Sequence, residues 1–214
     1  MIERLPMFPL GSCFLPGQRL PLHIFEPRYA RLVEDALDEN PAEPTFGVVL
    51  IARGSEVGGG DERYDVGTLA RIEAHVRAGD GRYELFCRTR SRIRVLEWLP
   101  DDPYPVARAE VWDDENTGTA LASYEWTGLV ERLDHLYGLL GRLADLTGSD
   151  VPAAPELSRF TGGLGERLYE IASYVPMGDA DRQGILAAPG ADERMRAVAE
   201  TIENAVDMVQ FRLS

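Results

Sequence analysis

The chain of 214 residues contains no lysine; all 22 basic residues are arginine. That absence removes the lysine of a phosphate-binding loop, of a Schiff base and of a serine–lysine dyad. Cysteine is nearly absent too. Cys13 and Cys87 lie far apart, with no Cys-x-x-Cys, so neither a disulfide framework nor a zinc knuckle is written here. His23, His75 and His135 form no His-Glu-x-x-His, and no Gly-x-Ser-x-Gly elbow occurs. No apolar run approaches the ~20 residues that span a bilayer. Met1 opens a strand-like stretch without the charged and apolar regions of a secretory signal. Reduced thiols in a bacterial cytoplasm, no membrane association, no metal and no cofactor are the expectations. Positive charge is also in deficit. The net charge is −14 and both halves are acidic, which opposes nucleic acid or anionic lipid as a partner of the whole surface.

What is present is enough apolar residue, 44%, for a core. A chain of this length buries roughly 70% of its unfolded surface. Periodicity divides it. Residues 2–10 read as a strand punctuated by Pro6 and Pro9, which favour a sheet edge. Leu20, Leu22 and Ile24 share one parity, and Pro21 again points to an edge or a bulge. The pattern turns helical at Glu26-Pro27, with proline suited to the first helical position and the Glu26 carboxylate placed to accept the unpaired N–H groups. Tyr29, Leu32, Val33 and Leu37 continue at helical spacing. Strands follow at 46–51, 66–76, 83–98 and 103–112, with a glycine-rich hairpin tip at Gly54–Gly60 and a turn at Gly79-Asp80-Gly81. The Gly54–Gly60 loop lacks the spacing of a phosphate cradle.

Beyond the acidic stretch 113–118 only helical spacing remains. Leu129, Leu133, Leu136, Leu140 and Leu143 form one stripe; Leu164, Leu168, Ile171, Ala172 and Val175 a second. Asp179 is placed to cap a short helix through Ile185 and Leu186. Met195, Val198, Ile202, Val206, Val209 and Leu213 form the last stripe. The expected organisation is α+β: a β-rich, mostly antiparallel domain at 1–112, a linker at 113–118, and a helical bundle at 119–214. The segment 161–166, rich in glycine, opens a helix and offers a weak anion site.

Leu22-His23-Ile24-Phe25-Glu26-Pro27-Arg28-Tyr29 resembles the signature of the Lon protease N-terminal, substrate-binding domain. Leu5, Pro6, Phe8, Pro9 and Leu10, then Gly67-Thr68, Arg92 to Val95 and Tyr104-Pro105, fit the same pattern in order. Gln183-Gly-Ile-Leu186 and Glu193-Arg194 resemble its helical part, with Gly184 and Met195 as departures. The resemblance implies a PUA-like pseudo-barrel followed by helices, and a non-enzymatic module that recognises polypeptide segments of a client or effector protein. The chain reaches Ser214 before the ATPase and peptidase that follow in larger members. The motif from Leu22 to Tyr29 is read as scaffold. Phe25, Pro27 and Tyr29 build the corner, while Glu26 and Arg28 bond nearby backbone. Two other functions stay open: RNA binding, since PUA-like barrels can bind RNA, and a small hydrolase with an unrecognised site. Oligomeric state carries no signal in the sequence.

One pattern nominates a site. Arg88, Arg90, Arg92 and Arg94 alternate along a strand, so all four are expected on one face. They are either a solvated face paired to neighbouring carboxylates or a cationic stripe lining a groove that binds an acidic or C-terminal carboxylate group. Arg92 and Arg94 also fall where the resembled family often carries basic residues, which makes a fold-keeping role the alternative for those two.

Overall fold

A computed structural model describes residues 1–56, 60–79, 81–118, 122–150 and 153–214. The centre of the glycine-rich tip (57–59), Asp80 of the predicted turn and 151–152 of the break between helices lie outside the described residues. The chain divides into two compact units, Met1–Asp113 and Asp114–Ser214.

The first unit contains β1 (Ile2–Leu10), β2 (Arg19–Ile24), α1 (Pro27–Glu39), β3 (Thr45–Arg53), β4 (Glu62–Arg77), β5 (Tyr83–Leu99) and β6 (Val106–Val111). The strand order is β2-β5-β4-β3-β1-β6, and β5 also pairs with β6. Strands β5, β4, β3, β1 and β6 therefore close a ring, and β2 hangs on the outside of the first half of β5. Among the described residues only the β1–β3 pairing is parallel.

Two apolar layers result from strand alternation. Leu5, Met7, Val49, Ile93, Val95, Ala107 and Ala109 fill the ring, joined by Leu69 and Trp98. The opposite parity, including Phe8, Phe46, Val48, Ala70, Ile72, Leu85 and Cys87, faces α1 and packs on Tyr29, Leu32 and Val33. The small side chains Ala107 and Ala109 and the glycines Gly47 and Gly67 leave room inside the narrow ring. A Cβ built on Gly67 would collide with the Val48 carbonyl oxygen.

The prolines predicted an edge for β1, yet β1 lies within the strand order. It pairs β6 over Ile2–Pro6 and β3 over Met7–Leu10, so each half has one partner. Pro6 precedes the β3 ladder and Pro9 follows the β6 ladder. Neither missing N–H is needed, and that is how an inner strand tolerates both. Strand β2, at the end of the order, is the edge that Pro21 predicts.

The second unit is helical: α2 (Ala122–Thr147), a 3-10 turn at Leu157–Arg159, α3 (Leu164–Ala172), α4 (Asp179–Ala187) and α5 (Ala191–Leu213). Helices α2, α3 and α4 each pack on α5. Leu129, Leu133, Leu136 and Leu139 are buried on α2, whereas Leu140 and Leu143 are only half-buried. Asp179 lies in the first turn of α4, with Gly178 at the cap position, and favours the helix through the dipole instead. The N-terminus of α3 is met by its own Glu166, whose carboxylate accepts from the Gly163 N–H at 2.8 Å and so competes with any outside anion.

The segment 113–118 is not a free linker in its middle. Asp114 takes both terminal nitrogens of Arg194 (2.8 and 2.6 Å). Asn116 accepts from the Asp192 N–H and donates to Glu193, holding the start of α5. The pairing of an acidic residue with Arg194, eighty positions away, has no local signature.

Candidate functional site

The strand-to-helix corner at 22–29 is built largely as a structural element. Ile24 and Tyr29 are buried, Leu22 is partly buried against the same core, and Tyr29 stacks on Phe8 at 4.1 Å between ring centres. Burial, with smaller effects from neighbouring charges, pushes the Tyr29 hydroxyl up to about 12. Pro27 occupies the first helical position, as expected. Glu26 does not cap with its side chain; its carboxylate instead takes Arg28 Nε at 3.1 Å. The Glu26 carbonyl accepts from the N–H groups of Tyr29 and Ala30. Arg28 also donates to the Glu56 carbonyl at 3.2 Å and lies over the Tyr29 ring. His23 is exposed, 3.9 Å from Glu84. Phe25, expected inside the corner, is 61% exposed.

The four arginines do not share a face. Thr68 pairs with Arg92 but Ala70 pairs with Thr89, so Arg90 and Ser91 both stand opposite Leu69. This bulge inserts one residue and reverses the parity of everything after it. Arg92, only 4% exposed, donates to the carbonyls of Trp112 and Asp113 and stacks on Trp112 at 4.0 Å. Arg94 binds Glu110, its direct cross-strand partner, at 2.6 Å and lies over the same indole at 4.8 Å. These two hold the end of β6. Arg88 and Arg90 remain on the outer face, both bound to one oxygen of Glu73 at 3.1 and 3.4 Å.

That outer face is open to solvent. On β2 it carries Arg19, Pro21 and His23; on β5, Glu84, Phe86, Arg88 and Arg90; on β4, Glu73, Ala74 and Val76. All are exposed except the half-exposed Arg88. Phe86 is 53% exposed although it is in the middle of a sheet. The other face of the same strands carries the core beneath α1, with Leu20, Ile24, Ile72, Tyr83, Leu85 and Cys87 buried, so one side is packed and the other bare.

The free edge of β2 is blunted. Thr89 bonds both ways toward β2, with its N–H to the Gln18 carbonyl and its carbonyl to the Gly17 N–H. By alternation Cys87, Leu85 and Tyr83 also face β2, and their partners are Leu20, Leu22 and Ile24. Arg19, Pro21 and His23 therefore direct their backbone outward, and Pro21 has no N–H to offer.

Sequence alternation identified Arg88 and Arg90. It missed Arg19, Glu73, Phe86 and Val76, because only the β2–β5–β4 register brings them together; the parity of 19, 21 and 23 was the available signal. Among the described residues no group of three or more His, Cys, Asp or Glu is placed to hold a metal ion, and no helix is long and apolar enough to cross a membrane. Cys13 and Cys87 are both buried free thiols, and burial raises the Cys87 thiol to about 12.

Comparison with known proteins agrees with this architecture. The chain is similar to the Lon N-terminal domain protein of Xanthomonas campestris (TM-score 0.62, 24% identity, covering 93% of this chain and 98% of that one). It is similar also to the N-terminal domain of Mycobacterium avium complex Lon protease (TM-score 0.64, 14% identity, 94% and 99%). In sequence it is 28% identical to Lon protease 2 of Myxococcus xanthus over 209 residues, which are 97% of this chain and 24% of that protein. Identity to the Lon protease of Dictyoglomus thermophilum is 30%, over 98% of this chain and 25% of that protein. The chain thus spans about a quarter of the length of the curated relatives it matches. The profile of the ATP-dependent protease La (LON) substrate-binding domain matches residues 4–204, and the chain belongs to that family.

Proposed function

We propose that this chain is a non-catalytic module that binds extended polypeptide segments, a client or effector protein, on the open face of β2, β5 and β4, in the cytoplasm. The ring of strands is read as a PUA-like pseudo-barrel, and the helices as a bundle that follows it. The observation that carries this reading is the exposed Phe86, with an arginine row on one side of it and Glu84 on the other, on a sheet whose opposite side packs on the core. Exposed apolar surface with a charged surround marks interaction sites. The family's substrate-binding description, matched over residues 4–204, points the same way. A net charge of −14 speaks against the RNA-binding alternative.

The test is fluorescence anisotropy with labelled, reduced and carboxymethylated lactalbumin, a permanently unfolded polypeptide. Binding in the micromolar range is expected, because an unfolded ligand loses ordering entropy when it binds. Phe86→Asp should weaken it at least about tenfold, the effect of ~1.4 kcal/mol. Equal binding of native lactalbumin, or no effect of Phe86→Asp, refutes the assignment. In the same preparation casein and ATP should remain intact.

A further inference from the structure

The open face is graded in charge along β5. Strand register sets three rows across it. Arg19, Arg88 and Arg71 are direct cross-strand neighbours, with Arg90 the next outer residue on β5. Pro21, Phe86 and Ala74 form the middle row, and His23, Glu84 and Val76 the third. Like charges directly opposite each other repel, and three guanidinium groups side by side need anions. Glu73 serves both Arg88 and Arg90, and Glu43 serves Arg71 at 3.1 Å. Arg19 has no carboxylate partner among the described residues. Four guanidinium groups thus share two carboxylates, on a protein that is otherwise strongly acidic.

Resting on the function proposed above, we infer that this face selects segments with a side-chain carboxylate two residues from a large apolar side chain. In an extended segment residues i and i+2 point the same way, about 6.6–6.8 Å apart. Arg88 and Phe86 are spaced in that way on β5, so one segment lying alongside places its carboxylate on the arginine row and its apolar group on Phe86. The planar guanidinium fork suits a carboxylate bound through both oxygens. Glu84 lies two residues before Phe86, on the side away from Arg88, and repels a second acid at that position, so a neutral or basic residue fits there. Recognition falls to side chains because the proline-blunted β2 edge lacks an N–H at its centre. The pattern read is acid, apolar, then neutral or basic, at every second residue.

The probes are fluorescein-labelled ten-residue peptides, acetylated and amidated at their ends, carrying Asp-x-Phe-x-Arg or the same sequence with Asn, or Lys, in place of Asp. Each is titrated with the full chain at low and at high salt. The Asp peptide should bind about tenfold more tightly than the Asn peptide, and the Lys peptide most weakly. The preference should shrink at high salt, as for exposed charges. Arg88→Gln with Arg90→Gln should equalise Asp and Asn peptides, while Glu73→Gln, which frees both arginines, should tighten the Asp peptide. The wild-type series and the Glu73→Gln gain keep the test valid if the double variant folds poorly. Equal binding of Asp and Asn peptides, or tighter binding of the Lys peptide, overturns the carboxylate preference and leaves the polypeptide-binding function standing. If no peptide binds but carboxymethylated lactalbumin does, the preference alone falls; if neither binds, both fall.

Discussion

Arg194 shows what one residue can demand. Its side chain is 0% exposed, yet it carries a full charge into the helical unit. Asp114 supplies both oxygens and the Tyr169 ring covers its face at 4.0 Å, while Nε has no hydrogen-bond partner among the described residues. Removing one member of a buried ion pair costs about 3–5 kcal/mol, since the remaining charge stays desolvated. Asp114→Ala is therefore expected to shift the urea midpoint strongly, and Asp114→Asn less, because an amide oxygen still accepts from the guanidinium. An exposed pair such as Arg31–Asp35, at 2.8 Å, is the contrast, worth about 0–1 kcal/mol. A loss below about 1 kcal/mol for Asp114→Ala would show that Arg194 regains water.

At the scale of the element, β5 decides most of the molecule. Its first half carries β2 and the open face; its second half closes the ring with β6. The bulge at Arg90-Ser91 separates the two jobs, turning Ile93 and Val95 into the ring and Arg92 and Arg94 onto Trp112. Opposite Ile93 lies Gly67, which on its other side pairs with Val49 of β3. Its added methyl would meet backbone at Val48, which cannot yield, whereas at Gly47 the nearest obstacle is the flexible end of Met7. Gly67→Ala should cost about 1–3 kcal/mol by overpacking, and thermal melting should rank it below Gly47→Ala. The reverse ranking would mean that the ring has slack at β4 and not at β1.

For the molecule as a whole, the larger core is sensitive to alkali. Burial raises Tyr29 to about 12; burial, with a hydrogen bond to Asp35, raises Tyr104 to about 12; and burial raises Cys87 to about 12. Each group keeps its proton in the fold after the unfolded chain has released it. Their stabilisation is complete below the ordinary thiol and phenol values and is lost as pH rises from there toward about 12. Melting temperature should accordingly fall across that interval, and both thiols should react with a maleimide only as the protein opens. Rapid labelling of Cys87 at neutral pH, with the fold intact, would contradict the packing described.

Residue spacing along the chain set the periods: six strands, a switch to helices after residue 112, the helix starting at Pro27 and the family motif around it. These depend on local sterics and on apolar spacing, which are written along the chain. It did not determine which strand is an edge, because proline forbids only one hydrogen bond and β1 satisfies that rule by changing partners at Pro6–Met7. Nor did alternation place the four arginines, since a single inserted residue at 90–91 reverses parity and leaves no sign in the pattern of residue types. Arg92 and Arg94 became scaffold, while Arg19, Glu73, Phe86 and Val76 joined Arg88 and Arg90 on one surface. That grouping came from the folded sheet, because hydrogen bonding between strands sets register and register sets which distant side chains meet.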